Sequence, residues 1–127
     1  MKHTSSLKMN YEFKRVYNRG KNAPSKFAVV YCKRNGQNEN RLGITVSTKI
    51  GGAVQRNRVR RRLKEIYRLN EQAICPGYDI VIVARQSSRE AKWQELESSV
   101  LYLLGKLGLI RNTGAFNTKG VLGRKDR

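Results

Sequence analysis

AVQRNRVRRRLKEIYRLN, residues 53–70, places five arginines in the seven positions from Arg56 to Arg62. Val59, Leu63, Ile66 and Tyr67 recur at i, i+4, i+7 and i+8, the spacing of one face of an α-helix. Asn57, Arg61, Lys64 and Arg68 fall on the opposite side, with Arg58 and Glu65 adjoining. The stretch therefore reads as an amphipathic helix, one face against a core and the other strongly cationic. Like charges three and four residues apart on a helix repel one another, and only Glu65 offsets the run. Such a helix implies a partner that carries negative charge.

The composition extends this reading. The 127 residues hold 27 Lys and Arg against nine Asp and Glu, a net charge of +18. Residues 1–68 contain 18 of the cations and three acids, and residues 69–127 contain nine and six, so the excess belongs to one half of the chain. A concentrated basic surface attracts polyanions and steers their encounter. The candidates are nucleic acid, an anionic membrane surface and acidic protein. MKHTSSLKMN at the start lacks the apolar core of a signal peptide, and no apolar stretch approaches the roughly 20 residues of a membrane span. Cys32 and Cys75 lie far apart, and His3 is the single histidine, so no zinc site built by the protein is expected. We expect a soluble, cytoplasmic protein with reduced cysteines.

Working outward from the helix, Asn10 reads as the cap of a short helix that carries Phe13, Val16 and Tyr17 and ends near Gly20. KFAVVYC (26–32) reads as a strand, with Phe27, Val29 and Tyr31 on one face and Ala28, Val30 and Cys32 on the other. The polar RNGQNEN (34–40) reads as a hairpin loop. RLGITVST (41–48) is its return strand, with Leu42, Ile44 and Val46 apolar and Gly43, Thr45 and Ser47 on the other face. KIGGAV (49–54) turns the chain into the arginine helix. After the break at Pro76-Gly77, YDIVIVAR (78–85) is apolar enough for an interior strand. Ser87 with Glu90 forms a capping box that opens a helix with Trp93, Leu96, Val100, Leu103, Leu104 and Leu107 on one face. The expected fold is a single-domain α+β sandwich in the order helix-strand-strand-helix-strand-helix, its sheet covered by helices on one face. Residues 1–110 form the domain, and the aperiodic, basic residues 111–127 read as a flexible tail.

Catalytic signatures are not apparent. The carboxylates form no pair at helical spacing, and there is no GxxxxGK[ST] loop or GxSxG elbow. Gly51-Gly52 before the helix could present N–H groups to a phosphate, although a glycine pair there is more often simply a turn. Nucleic-acid binding remains. The cationic helix supplies phosphate contacts, and Phe13, Tyr17, Phe27 and Tyr31 offer stacking platforms for unpaired bases, worth about 1–3 kcal/mol each. For each aromatic the alternative is packing in the core.

VSTKIGGAV followed by RNRVRRRLKE resembles the protein subunit of bacterial ribonuclease P. That family carries an Arg-Asn-Arg signature, here Arg56, Asn57 and Arg58, at the start of a helix. A Val-Ser-Lys-Lys-like run and a Gly-Asn-Ala-Val-like turn precede it. YEFKRVYNRG, KFAVVY, YDIVIVAR and the final amphipathic helix continue the likeness over about residues 7–107. Thr48 stands where a lysine is usual and Gly52 where an asparagine is common. The resemblance implies a fold like the second domain of a small-subunit ribosomal protein, with a left-handed βαβ crossover. It implies an accessory subunit of an endoribonuclease that removes the 5′ leader from precursor tRNA, with the hydrolysis performed by an RNA subunit. It implies no catalytic residue and no cofactor bound by the protein, Mg²⁺ being required by the RNA-containing holoenzyme. The partners it implies are the RNA subunit and precursor tRNA, with no membrane and no metal. By position, Arg56, Asn57, Arg58, Arg60, Arg61, Arg62, Lys64 and Arg68 would meet the RNA subunit. Phe13, Tyr17, Phe27 and Tyr31, with Lys49 at the edge, would line a cleft for the single-stranded leader. The competing readings are a structural RNA-binding protein of ribosomal type, a DNA-binding regulator using 55–70 as a recognition helix, and a self-sufficient nuclease.

Overall fold

The structure, a computed structural model, describes residues 3–111. In chain order the elements are β1 (Thr4–Ser6), α1 (Asn10–Arg19), β2 (Lys21–Pro24), β3 (Ala28–Arg34), β4 (Asn40–Thr45), α2 (Ala53–Leu69), β5 (Tyr78–Ala84) and α3 (Trp93–Lys106). Short 3₁₀ turns occupy Thr48–Ile50, Glu71–Ala73 and Gln86–Glu90. The five strands form one mixed sheet in the order β1-β4-β5-β3-β2, and with the three helices they make a single α+β domain. The segment 112–127, to which most of the expected tail belongs, lies outside the described residues.

β5 organises the sheet. Strands pair with it on both edges, β4 in parallel and β3 antiparallel, and its Ile80, Val81 and Ile82 are all buried, Ile80 and Ile82 in the main core and Val81 against Val16 of α1 on the other face. This confirms YDIVIVAR as an interior strand. It also corrects the hairpin expected between β3 and β4, since β5 lies between them. A strand apolar on both faces gains most from a central position, where both faces are covered. The connecting residues 35–39 instead arch over the start of β5. Asn35 N–H donates to the Gly77 carbonyl at 2.9 Å, and Asn35 Nδ2 donates to Asp79 Oδ1 and to the Glu39 carbonyl, each at 3.0 Å. β4, α2 and β5 form a βαβ unit of adjacent parallel strands.

The alternation read along β3 is present: Ala28, Val30 and Cys32 enter the main core, while Val29 and Tyr31 stay half-buried on the other face. Val59, Leu63, Ile66 and Tyr67 of α2 and Leu96, Val100, Leu103 and Leu104 of α3 cover that core. α1 does not join them. Its Val16 packs on the opposite sheet face with Leu7 and Val81, flanked by Phe13, Tyr17, Tyr31 and Val83. Helices thus lie on both faces, where one was expected. Gly20 makes the docking of α1 possible. A Cβ there would stand 2.3 Å from the Cys32 carbonyl oxygen and 2.6 Å from that of Val16, closer than any side chain is tolerated.

Two helix starts differ from the expectation, and two strands are additional to it. Met9, not Asn10, caps α1, and the capping acceptor is the Glu12 carboxylate, which receives the N–H groups of Lys8 and Met9 at 2.9 Å each. Ser87 and Glu90 sit in a 3₁₀ turn instead of opening α3, which begins at Trp93 with the Glu95 carboxylate receiving the Lys92 N–H at 2.9 Å. The edge strands β1 and β2 were not expected, because three and four largely polar residues carry no period. Pro24 is tolerated there since an edge strand leaves one row of N–H groups unpaired.

Arg41 joins the layers. Its guanidinium donates to both oxygens of the buried Asp79 at 2.9 and 2.7 Å and to Glu12 Oε2 at 2.7 Å. The hydrogen bonds from Met9 and Lys8 hold the Glu12 carboxyl below its ordinary 4.5, and Arg41 and Arg15 add to this against the opposing effect of burial. A carboxyl whose pKa is depressed on folding stabilises the fold above its ordinary range and loses that contribution as pH falls through the folded value. Glu12→Gln should therefore lower the melting temperature at neutral pH and flatten its fall below about pH 4.5, as thermal unfolding followed across pH will show.

Candidate nucleic-acid interface

Two surfaces gather the residues singled out in the sequence. The first is the cationic face of α2. Its entry is fixed by arginines that turn inward. Arg56 Nη1 donates to the Gly51 carbonyl at 2.8 Å, and Arg89 Nη1 donates to that of Ile50 at 3.2 Å. Arg60 Nη1 donates to Asn57 Oδ1 at 2.8 Å. Arg62 donates through Nη2 to the Ala91 carbonyl at 2.6 Å. Burial, and then the charge of Arg58, push its pKa down. Arg68 is engaged by Glu65 at 2.9 and 2.5 Å, a hydrogen-bonded pair that pushes the carboxyl down and the guanidinium up. Arg58, Arg61 and Lys64 are exposed and have no hydrogen-bond or ion-pair partner among the described residues. The eight predicted contacts thus divide into side chains that shape the helix and its turn and cations held out to solvent.

The second surface lies on the sheet face beside α1. Tyr17 and Tyr31 meet edge to face with ring centroids 4.8 Å apart. The Tyr17 hydroxyl lies 2.9 Å from Thr45 Oγ1, which fixes its ring over the sheet. Phe13 rests on Gly43, where a Cβ would come within 2.5 Å of the ring. Extending the two-residue alternation of β4 and β5 carries this face from Thr45 and Val83 to Ser47 and Arg85. There an open cleft of about 660 Å³ is lined by Ser25, Lys26, Ser47, Lys49, Arg85, Gln86 and Ser87. Lys49 was anticipated at this edge. Lys26 and Arg85 were not, although the carboxyl ends of parallel strands are where ligands bind in open α/β sheets, and Arg85 directly follows β5.

Phe27 stands apart from the other three aromatics. It packs against the main core and lines a groove of about 630 Å³ with Gln94, Ser98 and Tyr102 of α3, a groove that shares Ser25 and Lys26 with the cleft, the Lys26 ammonium lying 5.4 Å from the Phe27 ring centroid. The pleat begins only at Ala28. Before it, Ser25 Oγ receives the N–H groups of Phe27 and Ala28 at 3.3 and 3.2 Å, a turn that takes Phe27 out of the strand's alternation. Among the described residues no group of three His, Cys, Asp or Glu is placed to hold a metal ion. No helix there is long and apolar enough to cross a membrane.

The family model described as Ribonuclease P matches residues 1–108. The chain belongs to the ribonuclease P protein family. It is 44% identical over 112 residues to the ribonuclease P protein component of Alkaliphilus oremlandii, covering 88% of this chain and 98% of that one. It is 45% identical over 102 residues to that of Clostridioides difficile, covering 80% and 90%. Among solved structures it is similar to the RNase P protein of Staphylococcus aureus (TM-score 0.77, 30% identity, covering 84% of this chain and 97% of that one). It is likewise similar to the RNase P protein of Thermotoga maritima (TM-score 0.74, 30% identity, 80% and 96%). Membership decides between the readings left open by composition. It favours a role in an RNA-processing enzyme over a ribosomal-type structural protein, a DNA regulator or a nuclease acting alone.

The close approach of Phe13 to Gly43 makes a prediction. Gly43→Ala should cost about 1–3 kcal/mol through overpacking, read as a lower melting temperature. Phe13→Leu in the same chain should recover part of the loss, giving a favourable coupling in the double-mutant cycle.

Proposed function

We propose that this chain is the protein component of a ribonuclease P ribonucleoprotein, acting in the cytoplasm on precursor tRNA. It binds the RNA subunit through the outer face of α2, with Arg58, Arg61 and Lys64 making phosphate contacts. Arg60, Asn57 and Arg68 lie beside them, and Arg56 and Arg62 hold the helix and its neighbours in place. It binds the single-stranded 5′ leader on the sheet face, with bases against Phe13, Tyr17 and Tyr31 and phosphates passing to Lys49, Lys26 and Arg85. Phe27 packs against the main core and does not itself line that cleft, although it stands beneath the Lys26 ammonium. Catalysis resides in the RNA subunit, and Mg²⁺ belongs to the RNA-containing holoenzyme. The protein's part is positioning: it neutralises phosphates and fixes the leader relative to the RNA.

One observation carries this reading. A helix whose inner face is buried keeps three outward cations without a hydrogen-bond or ion-pair partner among the described residues, while the opposite sheet face carries the paired Tyr17 and Tyr31, and Lys26, Lys49 and Arg85 line an open cleft beyond the ends of β4 and β5. Aromatic platforms beside backbone-tracking cations are the usual means of holding a single strand.

Reconstitution tests it. Adding the chain to a ribonuclease P RNA at physiological Mg²⁺ should accelerate leader removal from precursor tRNA. Its affinity for that RNA should fall with a log–log salt slope of about −0.9 per duplex phosphate neutralised, and a slope near zero would contradict the assignment of α2. Arg58→Gln/Arg61→Gln/Lys64→Gln should make the slope shallower by about two to three while leaving thermal stability unchanged or slightly raised. Tyr31→Leu should leave the RNA subunit's affinity intact. It should weaken binding of leader-bearing precursor by roughly 1–3 kcal/mol, with mature tRNA unaffected.

A further inference from the structure

Between α2 and the start of α3 lies a groove of about 410 Å³ lined by Arg61, Arg62, Lys64, Glu65, Arg68 and Trp93. α2 and α3 both cover the main core, so the sheet separates this groove from the tyrosines that face α1. Trp93, the only tryptophan of the chain, is half-buried. Part of its indole packs against the main core, and the remainder forms one wall of the groove. Four cations stand there with one carboxylate, and Arg68 already engages that carboxylate at 2.9 and 2.5 Å. Arg61 and Lys64 have no partner among the described residues. Arg62 is pinned at 2.6 Å to the Ala91 carbonyl, and its other terminal nitrogen, Nη1, is buried without an acceptor. This wall of the groove therefore holds positive charge that no group among the described residues balances.

The chemistry of the occupant follows from the pairing of a flat aromatic wall with unbalanced cations. An acidic peptide would satisfy the cations and leave the indole uncovered. An apolar ligand would cover the indole and leave the cations desolvated and unpaired, which is unfavourable. A nucleotide does both, stacking its base on the ring and offering its phosphates to the guanidinium and ammonium groups. The groove is continuous with the outer face of α2 through Arg61 and Lys64.

We infer that an unpaired nucleotide of the RNA subunit docks in this groove, its base against the Trp93 indole and its flanking phosphates on Arg61, Lys64 and Arg68. The inference rests on the assignment of α2 to the RNA subunit. It adds a stacked, single-stranded anchor to an otherwise electrostatic surface, so that the RNA is recognised by an exposed base as well as by its charge.

Because Trp93 is the sole tryptophan, its emission reports on this groove alone. Titrating the full chain with ribonuclease P RNA should quench that emission, with the same midpoint as the mobility shift of the complex. Trp93→Leu keeps an apolar contact with the core and removes the stacking surface. It should weaken binding of the RNA subunit about 5- to 150-fold, while the affinity ratio between leader-bearing and leaderless tRNA in the assembled holoenzyme stays as in the unaltered chain. Unchanged emission on complex formation, or Trp93→Leu binding at full affinity, overturns the inference and leaves the assignment of α2 standing. If the unaltered chain does not shift the RNA at all, that assignment fails and the inference with it. Should Trp93→Leu lower the melting temperature, the quenching titration, which needs no variant, decides.

Discussion

The cationic surface depends on the hold that the core keeps on α2. Along that helix, six like-charged pairs stand three or four residues apart, from Arg56–Arg60 to Lys64–Arg68. Each such pair destabilises a helix by about 0.2–0.5 kcal/mol, so the repulsion amounts to a few kcal/mol at most. Against it stand Val59, Leu63, Ile66 and Tyr67, all essentially without exposure. Fully burying one large apolar side chain contributes about 1.5–3 kcal/mol. The apolar face wins by a clear margin, and the fold tolerates the charge along the cationic face. The buried Tyr67 also shows how this hold is kept specific. Its hydroxyl receives Asn40 Nδ2 at 3.0 Å and lies 3.0 Å from Thr4 Oγ1, which ties α2 to β4 and to the edge strand β1.

The second surface depends on a different kind of constraint. Among the described residues α1 is the one helix on its sheet face, over a small apolar cluster, and polar and steric contacts add to that cluster in positioning it. Arg41 binds it through Glu12 to Asp79 on the central strand. Gly20 and Gly43 let backbone and ring approach the sheet at distances no side chain allows. The core is thus divided: α2 and α3 share the larger cluster on one sheet face, and α1 covers the smaller one on the other.

The same division explains where function and packing compete for arginine. Arg56 and Arg62 belong to the run that marks the helix as cationic, yet both donate to carbonyl groups nearby, at Gly51 and Ala91. A planar guanidinium with five donors can serve a structural carbonyl and an approaching phosphate at once. Lysine, with its compact ammonium, suits such dual duty less well. That is a physical reason for arginine at positions 56 and 62.

The sequence by itself determined the elements whose signal is local and periodic. The amphipathic α2, the apolar face of α3, the short α1 ending at Gly20, the alternation of β3 and the doubly apolar β5 all follow from side-chain spacing. So does the excess of cations over carboxylates along α2, because charge is a property of composition. What only tertiary structure decided is which strand lies between which. β5 enters between β3 and β4, displacing the hairpin that an Asn-Gly pair suggested, because pairing across a sheet is a contest in buried area among segments distant in the chain. Tertiary structure also placed α1 on the opposite sheet face, turned Phe27 away from the tyrosines through a serine turn, and brought Lys26 and Arg85 beside Lys49. It set Trp93 against the arginines of α2. None of these juxtapositions has a local period to announce it. Each arises from contacts between residues far apart in sequence, which a one-dimensional pattern does not encode.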